Sequence, residues 1–156
     1  MTQIARVQRP LRLVLDTHVV LEMLLWHSPR HAPLLDSQKA GACVFLVDAA
    51  TLDEFERVLA YSVLMLDAAQ QAQVYVRYLA CANPQVSLEA PADLPRCKDV
   101  NDQKFLELSY SADAFALITR DKKLLKIGKN KRYRQRFLTI TPELLGTAWL
   151  TATALV

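Results

Sequence analysis

The sequence has few of the residues that mark secreted, membrane-spanning or zinc-binding chains. Only three glycines and three cysteines occur among 156 residues, and the cysteines at 43, 81 and 97 lack the paired C-x-x-C spacing of zinc and redox sites. No apolar run is long enough to cross a bilayer, and the N-terminus lacks the apolar core and cleavage site of a signal peptide. We therefore expect a soluble cytoplasmic protein without a membrane partner, whose cysteines are reduced and structural.

The residues that are present indicate one globular domain. Hydrophobic residues make up 52% of the chain and charged residues 22%. A chain of this length can bury a proper core, so we predict a single domain over 1–156 with its core at about 11–145. The net charge is +3, but residues 120–136 hold nine Lys or Arg and one Asp, a local balance of +8. The remainder carries −5, so a basic segment lies on an acidic domain.

Apolar segments of strand length alternate with helical patterns along the chain. Strands are predicted at 12–15, 43–47, 85–88, 114–118 and 137–140. Helices are predicted at 17–26, 34–40, 67–82 and 102–111, after Asp48 and from Thr141. The unbroken apolar strands are typical of a sheet covered on both faces. This pattern predicts a three-layer α/β/α sandwich around a mostly parallel sheet of about five strands.

The helical spacing also predicts which side chains face the core. After Asp48, apolar residues recur at helical intervals. In the helix over 67–82, Asp67 is the expected cap. The expected inward-facing side chains of these two helices are Leu52, Phe55, Leu59, Val63, Val74, Tyr75, Tyr78 and Leu79.

Four acidic residues fall at matching places in this topology. Asp16 follows the first strand, and Glu54 lies in the first turns of the helix after the second strand. Asp102 begins the helix before the fourth strand, and Asp121 follows that strand. In a parallel sheet these places share one edge, where ligand crevices form. Carboxylates gathered there raise one another's pKa unless a cation holds them together, and oxygen-only donors suit Mg²⁺ or Mn²⁺. Such sites commonly serve phosphodiester hydrolysis.

Each acid also has a structural explanation when it is taken alone. Asp16 and Asp102 could cap helices, and Asp121 could pair with the lysines beside it. Glu54 lies away from the apolar stripe of its helix and competes with two acidic neighbours. Only the joint placement of the four favours a site.

The basic segment is a candidate surface for RNA, because Lys and Arg bind phosphates. Tyr133 and Phe137 are candidates for stacking on bases. The alternative is a solvated loop that balances the acidic domain. The candidate RNA-binding residues are Arg120, Lys122, Lys123, Lys126, Lys129, Lys131, Arg132 and Arg134.

Segments in the same order and spacing occur in a known family. They read LDTHVV at 15–20, LDEFERVL at 52–59, CKDVNDQKFL at 97–106, TRDKKLL at 119–125 and TPELL at 141–145. Together they resemble the motifs of the PIN-domain ribonucleases, and most closely the subgroup labelled as toxin components of toxin–antitoxin systems. His18, Asp48 and Arg120 depart from the commonest residues at their positions.

The resemblance implies a metal-dependent endoribonuclease that uses Mg²⁺ or Mn²⁺, is often a homodimer and is neutralised by an antitoxin protein. It implies a site in two groups. The catalytic residues and metal ligands are Asp16, Glu54, Asp102 and Asp121. The supporting residues are Thr17, His18, Asp99 and Thr119, with Asp99 as a reserve ligand.

Two other interpretations remain open. The same fold could bind RNA without turnover. An acidic pocket also occurs in phospho-accepting receivers and in haloacid-dehalogenase-like phosphatases. A receiver predicts an acceptor Asp after the third strand, where only Ser87-Leu88-Glu89 stands, and the phosphatase predicts D-x-D, where this chain has Asp16-Thr17-His18. Both patterns are missing here.

Overall fold

The computed structural model describes residues 10–86 and 89–145, in which strands and helices alternate. The strands are β1 Leu11–Leu15, β2 Cys43–Val47, β3 Ala82–Pro84, β4 Ala116–Ile118 and β5 Leu138–Ile140. The helices are α1 Thr17–Leu24, α2 Ala32–Lys39, α3 Ala49–Leu59, α4 Ala68–Cys81, α5 Gln103–Ser111, α6 Lys122–Ile127 and α7 Lys131–Arg134. Single 3-10 turns occupy Pro29–His31, Ser62–Leu64 and Val100–Asp102.

The five strands form one parallel sheet in the order β3-β2-β1-β4-β5. The central strand β1 separates two buried clusters. Leu13 and Leu15 face the cluster that includes Phe55 of α3, whereas Val14 faces the cluster that includes Phe105 of α5. Helices therefore cover both faces of the sheet, which confirms the predicted α/β/α sandwich.

Two helices begin at aspartates that form complete capping boxes. The Asp48 carboxylate accepts the Thr51 amide at 2.9 Å, and the Thr51 hydroxyl accepts the Asp48 amide at 3.1 Å. Asp67 and Gln70 form the same pair of bonds at the start of α4, as predicted for Asp67. Such a cap stabilises a helix by about 1 kcal/mol. Asp48 is thus a capping residue.

The third strand differs from the prediction. It spans Ala82–Pro84, whereas 85–88 was expected; Gln85 and Val86 lie outside it, and residues 87–88 lie outside the described residues. The strand contains Asn83-Pro84, and it is an edge strand paired only with β2. Proline is tolerated at an edge because its missing N–H faces away from the ladder.

Two predicted core residues are exposed. Val63 is 80% exposed because α3 ends at Leu59 and a 3-10 turn follows. Leu79 is also largely exposed on α4, whereas Val74 and Tyr78 of the same helix are buried as predicted. The three cysteines are free thiols, and no helix within 10–86 or 89–145 has the length and hydropathy to span a bilayer.

Candidate active site

Asp16 stands at the carboxyl end of β1, where it caps a helix. It also belongs to what we call the acidic cluster, namely Asp16, Glu54, Asp102 and Asp121. Its Oδ1 accepts the His18 amide at 3.0 Å, which starts α1, and its Oδ2 accepts the Thr119 hydroxyl at 2.6 Å. Burial raises the pKa of Asp16, although these two hydrogen bonds oppose the effect, and the charge of Asp121 raises it further. The capping and site interpretations of Asp16 are therefore compatible.

Thr119 connects Asp16 to Asp121. Its buried hydroxyl donates to Asp16 and accepts the Asp121 amide at 3.0 Å. The Asp121 Oδ1 in turn accepts the amides of Lys123 at 2.8 Å and Leu124 at 3.2 Å, which starts α6. One threonine thus fixes the relative position of the two aspartates that end β1 and β4.

Glu54 points into the molecule from α3, and its carboxylate is only 14% exposed. Its Oε2 accepts the Thr17 hydroxyl at 2.5 Å, and its Oε1 lies 3.2 Å from the Lys104 ammonium. Lys104 was not identified from the sequence, although it stands two residues after Asp102 in the same segment. The positive charge of Lys104 therefore offsets part of the negative charge of the acidic cluster.

The pKa of Asp102 shows most directly that the acids lie near one another. Its pKa is raised to about 6, first by burial and then by the charges of four carboxylates, Asp99, Asp121, Asp16 and Glu54. Asp99 itself accepts the Asn101 amide at 3.0 Å and caps the 3-10 turn before α5. The other three acids predicted from the sequence, Asp16, Glu54 and Asp121, therefore all lie near enough to Asp102 for their charges to raise its pKa.

The donor chemistry of this cluster fits a hard divalent cation. Its oxygens belong to carboxylates whose mutual repulsion a cation would offset. Within the described residues, no three His, Cys, Asp or Glu side chains stand close enough to enclose an ion together. Mg²⁺ needs no such enclosure, because it keeps several waters and commonly binds one or two carboxylates together with substrate phosphates.

Comparison with known families agrees with this arrangement. A family model described as PIN domain matches residues 12–123, a range that contains Asp16, Glu54, Asp102 and Asp121. The chain belongs to the PIN-domain family. Searches of curated proteins and of solved structures returned no significant match. Because PIN domains are generally nucleases, family membership supports nuclease activity in general terms.

This PIN domain also contains an ionic cluster that was not identified from the sequence. Glu22 of α1 lies at its centre, with its Oε2 2.5 Å from His31 Nε2 and 3.2 Å from Arg120 Nε. Its Oε1 lies 3.1 Å from His18 Nε2, and Arg120 also pairs with Glu143. We call these five residues the Glu22 cluster. It joins α1 to the loop between Thr119 and Asp121.

The basic segment of the PIN domain divides into anchored and exposed side chains. Arg120 belongs to the Glu22 cluster, and Arg132 lies 2.6 Å from Asp93. The stacking prediction for Tyr133 and Phe137 is wrong, because both rings are buried in the core cluster beside α5. Six predicted RNA-binding side chains are exposed, namely Lys122, Lys123, Lys126, Lys129, Lys131 and Arg134.

The repulsion at Asp102 predicts a gain in stability when its charge is removed. We expect Asp102→Asn to raise the free energy of unfolding at pH 7, without divalent cations, by about 1 kcal/mol after allowance for solvent screening. Because the folded-state pKa is raised to about 6 from 3.8, ionisation of Asp102 disfavours folding, so the gain is complete above about pH 6 and disappears below about pH 4. Urea unfolding of the native protein and of Asp102→Asn, at several pH values between these limits, measures the gain in stability.

A matched control for this substitution is Asp53→Asn, which removes an exposed carboxylate from α3. We expect it to change the free energy of unfolding by less than about 0.5 kcal/mol at any pH. If Asp102→Asn is no more stable than the native protein at pH 7, the neighbouring carboxylates do not repel the charge of Asp102 as described.

Proposed function

We propose that this protein is an endoribonuclease that hydrolyses RNA phosphodiester bonds with Mg²⁺ or Mn²⁺, and that it is the toxin of a toxin–antitoxin pair. The main support is the match of the PIN-domain family over residues 12–123 together with the placement of four acids at one end of the sheet, where their charges raise the pKa of Asp102. The residues that would hold the cation are Asp16, Glu54, Asp102 and Asp121, one or two of them directly and the others through the water molecules that Mg²⁺ retains. Such a cation activates water and offsets the charge of the phosphate.

The chain's own residues prepare this site in two ways. Thr119 holds Asp16 and Asp121 in register, and Thr17 together with Lys104 holds Glu54. Because these hydrogen bonds exist before substrate binds, the carboxylates need little reorganisation on binding. The exposed lysines that follow Asp121 lie where they can attract an RNA backbone to the acidic cluster.

One observation favours a second candidate, an RNA-binding protein without turnover. Lys104 occupies the Oε1 side of Glu54 at 3.2 Å and so provides part of the positive charge that a cation would supply. A protein in which a lysine replaces the cation would retain the basic surface and lose hydrolysis. This candidate predicts RNA affinity that is the same with and without divalent cations.

Incubation of purified protein with RNA separates the two candidates. We expect fragmentation with Mg²⁺ or Mn²⁺ and none with EDTA, because the acids need the cation to act on the phosphate. We also expect Mg²⁺ to raise the melting temperature of the native protein more than that of Asp102→Asn, since a bound ligand stabilises the folded state. RNA binding without fragmentation under either condition would favour the second candidate.

The cellular part of the proposal adds two partners. A toxin of this kind is neutralised by an antitoxin protein, and we propose that such a protein binds this chain and that the chain forms a homodimer. Co-expression with the product of a small neighbouring reading frame tests the first partner, because neutralisation restores growth. Light scattering of the purified protein tests the second.

A further inference from the structure

An exposed aromatic pair is formed by His18, in the first turn of the helix that Asp16 caps, and Trp26, which lies just beyond the end of that helix. Trp26 follows α1 and is 48% exposed, and its ring centroid is 5.5 Å from that of His18 with 62° between the planes. The His18 side chain is 60% exposed. The fold therefore leaves much of an indole and an imidazole open to solvent, edge to face.

Contacts with neighbouring residues of α1 hold the pair in place. His18, Glu22 and Trp26 are spaced four residues apart, and the Trp26 amide donates to the Leu21 carbonyl at 3.0 Å, a bond that ends the helix and holds the Trp26 backbone against its last turn. Glu22 Oε1 binds His18 Nε2 at 3.1 Å, while its other oxygen contacts His31 and Arg120. The imidazole is thus oriented in advance, which lowers the entropic cost of binding a ligand.

The position of the pair connects it to the acidic cluster. The backbone amide of His18 donates to Asp16 Oδ1 at 3.0 Å, so the residue that carries the imidazole is bonded directly to the first acid of the site. Another exposed aromatic side chain, Tyr61, follows the C-terminal end of α3, whereas the acids lie at the carboxyl ends of the strands, from which α3 starts. The location of Trp26 therefore favours contact with a molecule bound at Asp16.

We propose that Trp26 and His18 form a stacking site for one nucleobase of a single-stranded RNA whose backbone lies across Asp16. This inference rests on the proposed function and assigns the base-contacting residues of that site. An indole face stacks on any base, so the contact favours unpaired RNA without selecting a sequence. In a duplex the bases are already stacked and their faces are not available.

Substitutions of Trp26 test the proposal, because they can distinguish stacking on a base from packing against neighbouring side chains. We expect Trp26→Leu to weaken binding of a short single-stranded RNA in EDTA by about tenfold, and Trp26→Tyr to keep most of the affinity, because only tyrosine retains a ring face. Leucine packs against the neighbouring side chains about as well as tyrosine does. If Trp26 had only a structural role, Trp26→Leu and Trp26→Tyr should therefore weaken RNA binding equally. Tyr61→Leu, which removes an exposed ring elsewhere, should leave the affinity unchanged.

Abasic substrates locate the contact on the RNA. We expect one abasic position to weaken binding by the native protein by about tenfold and to have little further effect on Trp26→Leu. If Trp26→Leu binds every RNA as the native protein does while Mg²⁺-dependent cleavage is observed, this inference is wrong and the proposed function stands. If the native protein neither binds nor cleaves RNA, both are wrong.

Discussion

Asp16→Asn is expected to lower the rate of RNA hydrolysis by about 100-fold or more, since even substitutions outside the ligands of a metal site cost 10- to 100-fold. The amide keeps the size of the carboxylate, and its oxygen can still accept the His18 amide that starts α1. The substitution removes one negative charge from the cluster that would hold the cation. Multiple-turnover cleavage of a labelled RNA in Mg²⁺ measures the loss.

Asp48→Asn is the matched control because Asp48 occupies the equivalent place after β2. Like Asp16, it ends a strand and caps the next helix, and asparagine caps about as well as aspartate. We expect Asp48→Asn to retain cleavage and, when expressed in cells, to retain growth arrest, whereas Asp16→Asn loses both. Equal losses in the two variants would assign the effect to helix capping, and activity that survives both Asp16→Asn and EDTA would rule out the metal mechanism.

The four acids could be predicted because each belongs to a local pattern. A strand end or a helix start fixes where Asp16, Asp102 and Asp121 lie, and parallel topology then brings strand ends to one edge. The motif register selected Glu54 for the same place, and the structure turns its carboxylate inward toward Thr17 and Lys104. Local pattern and topology were therefore enough to place Asp16, Asp102 and Asp121, whereas the choice of Glu54 over its acidic neighbours needed the family resemblance.

The Glu22 cluster could not be predicted because its members are far apart in sequence. Glu22 and Arg120 are separated by 98 positions, and Arg120 and His31 by 89. Periodicity shows that a helix has a polar position, but it does not show which side chain, distant in sequence, contacts that position. The one available signal was that Glu22 is the only acidic residue in the apolar helix α1.

The misassigned aromatic residues have a different cause. Tyr133 and Phe137 occur in a strongly basic segment, so composition placed them on the surface. They lie four residues apart and pack together in the core, where the Tyr133 hydroxyl donates to the Pro95 carbonyl. A short helix between exposed cations can therefore bury one apolar face, and overall charge does not report the direction of each side chain.

Glu22→Ala is expected to lower the free energy of unfolding by about 3 kcal/mol, and the melting temperature by about 6 to 12 °C. Glu22 is largely buried and contacts three basic side chains. Its removal takes from Arg120 and from the buried His31 their shared carboxylate, so the guanidinium keeps only Glu143 and His31 Nε2, which lies 3.3 Å away, while His31 Nδ1 has no partner among the described residues. Thermal unfolding compared with Glu56→Ala, an exposed glutamate of α3, measures the effect.

The cluster also predicts how Glu22 and Arg120 depend on each other. If the cost of Glu22→Ala comes from a guanidinium that has lost one of its two carboxylate partners, Arg120→Ala should partly offset it, and the double variant should be less destabilised than the two single variants together by about 1 kcal/mol or more. Because Arg120 precedes Asp121, the single variant Glu22→Ala should also slow RNA cleavage at temperatures where the protein stays folded. Additive losses of stability would show that Glu22 acts through packing of α1, and an unchanged cleavage rate would separate the Glu22 cluster from the acidic site.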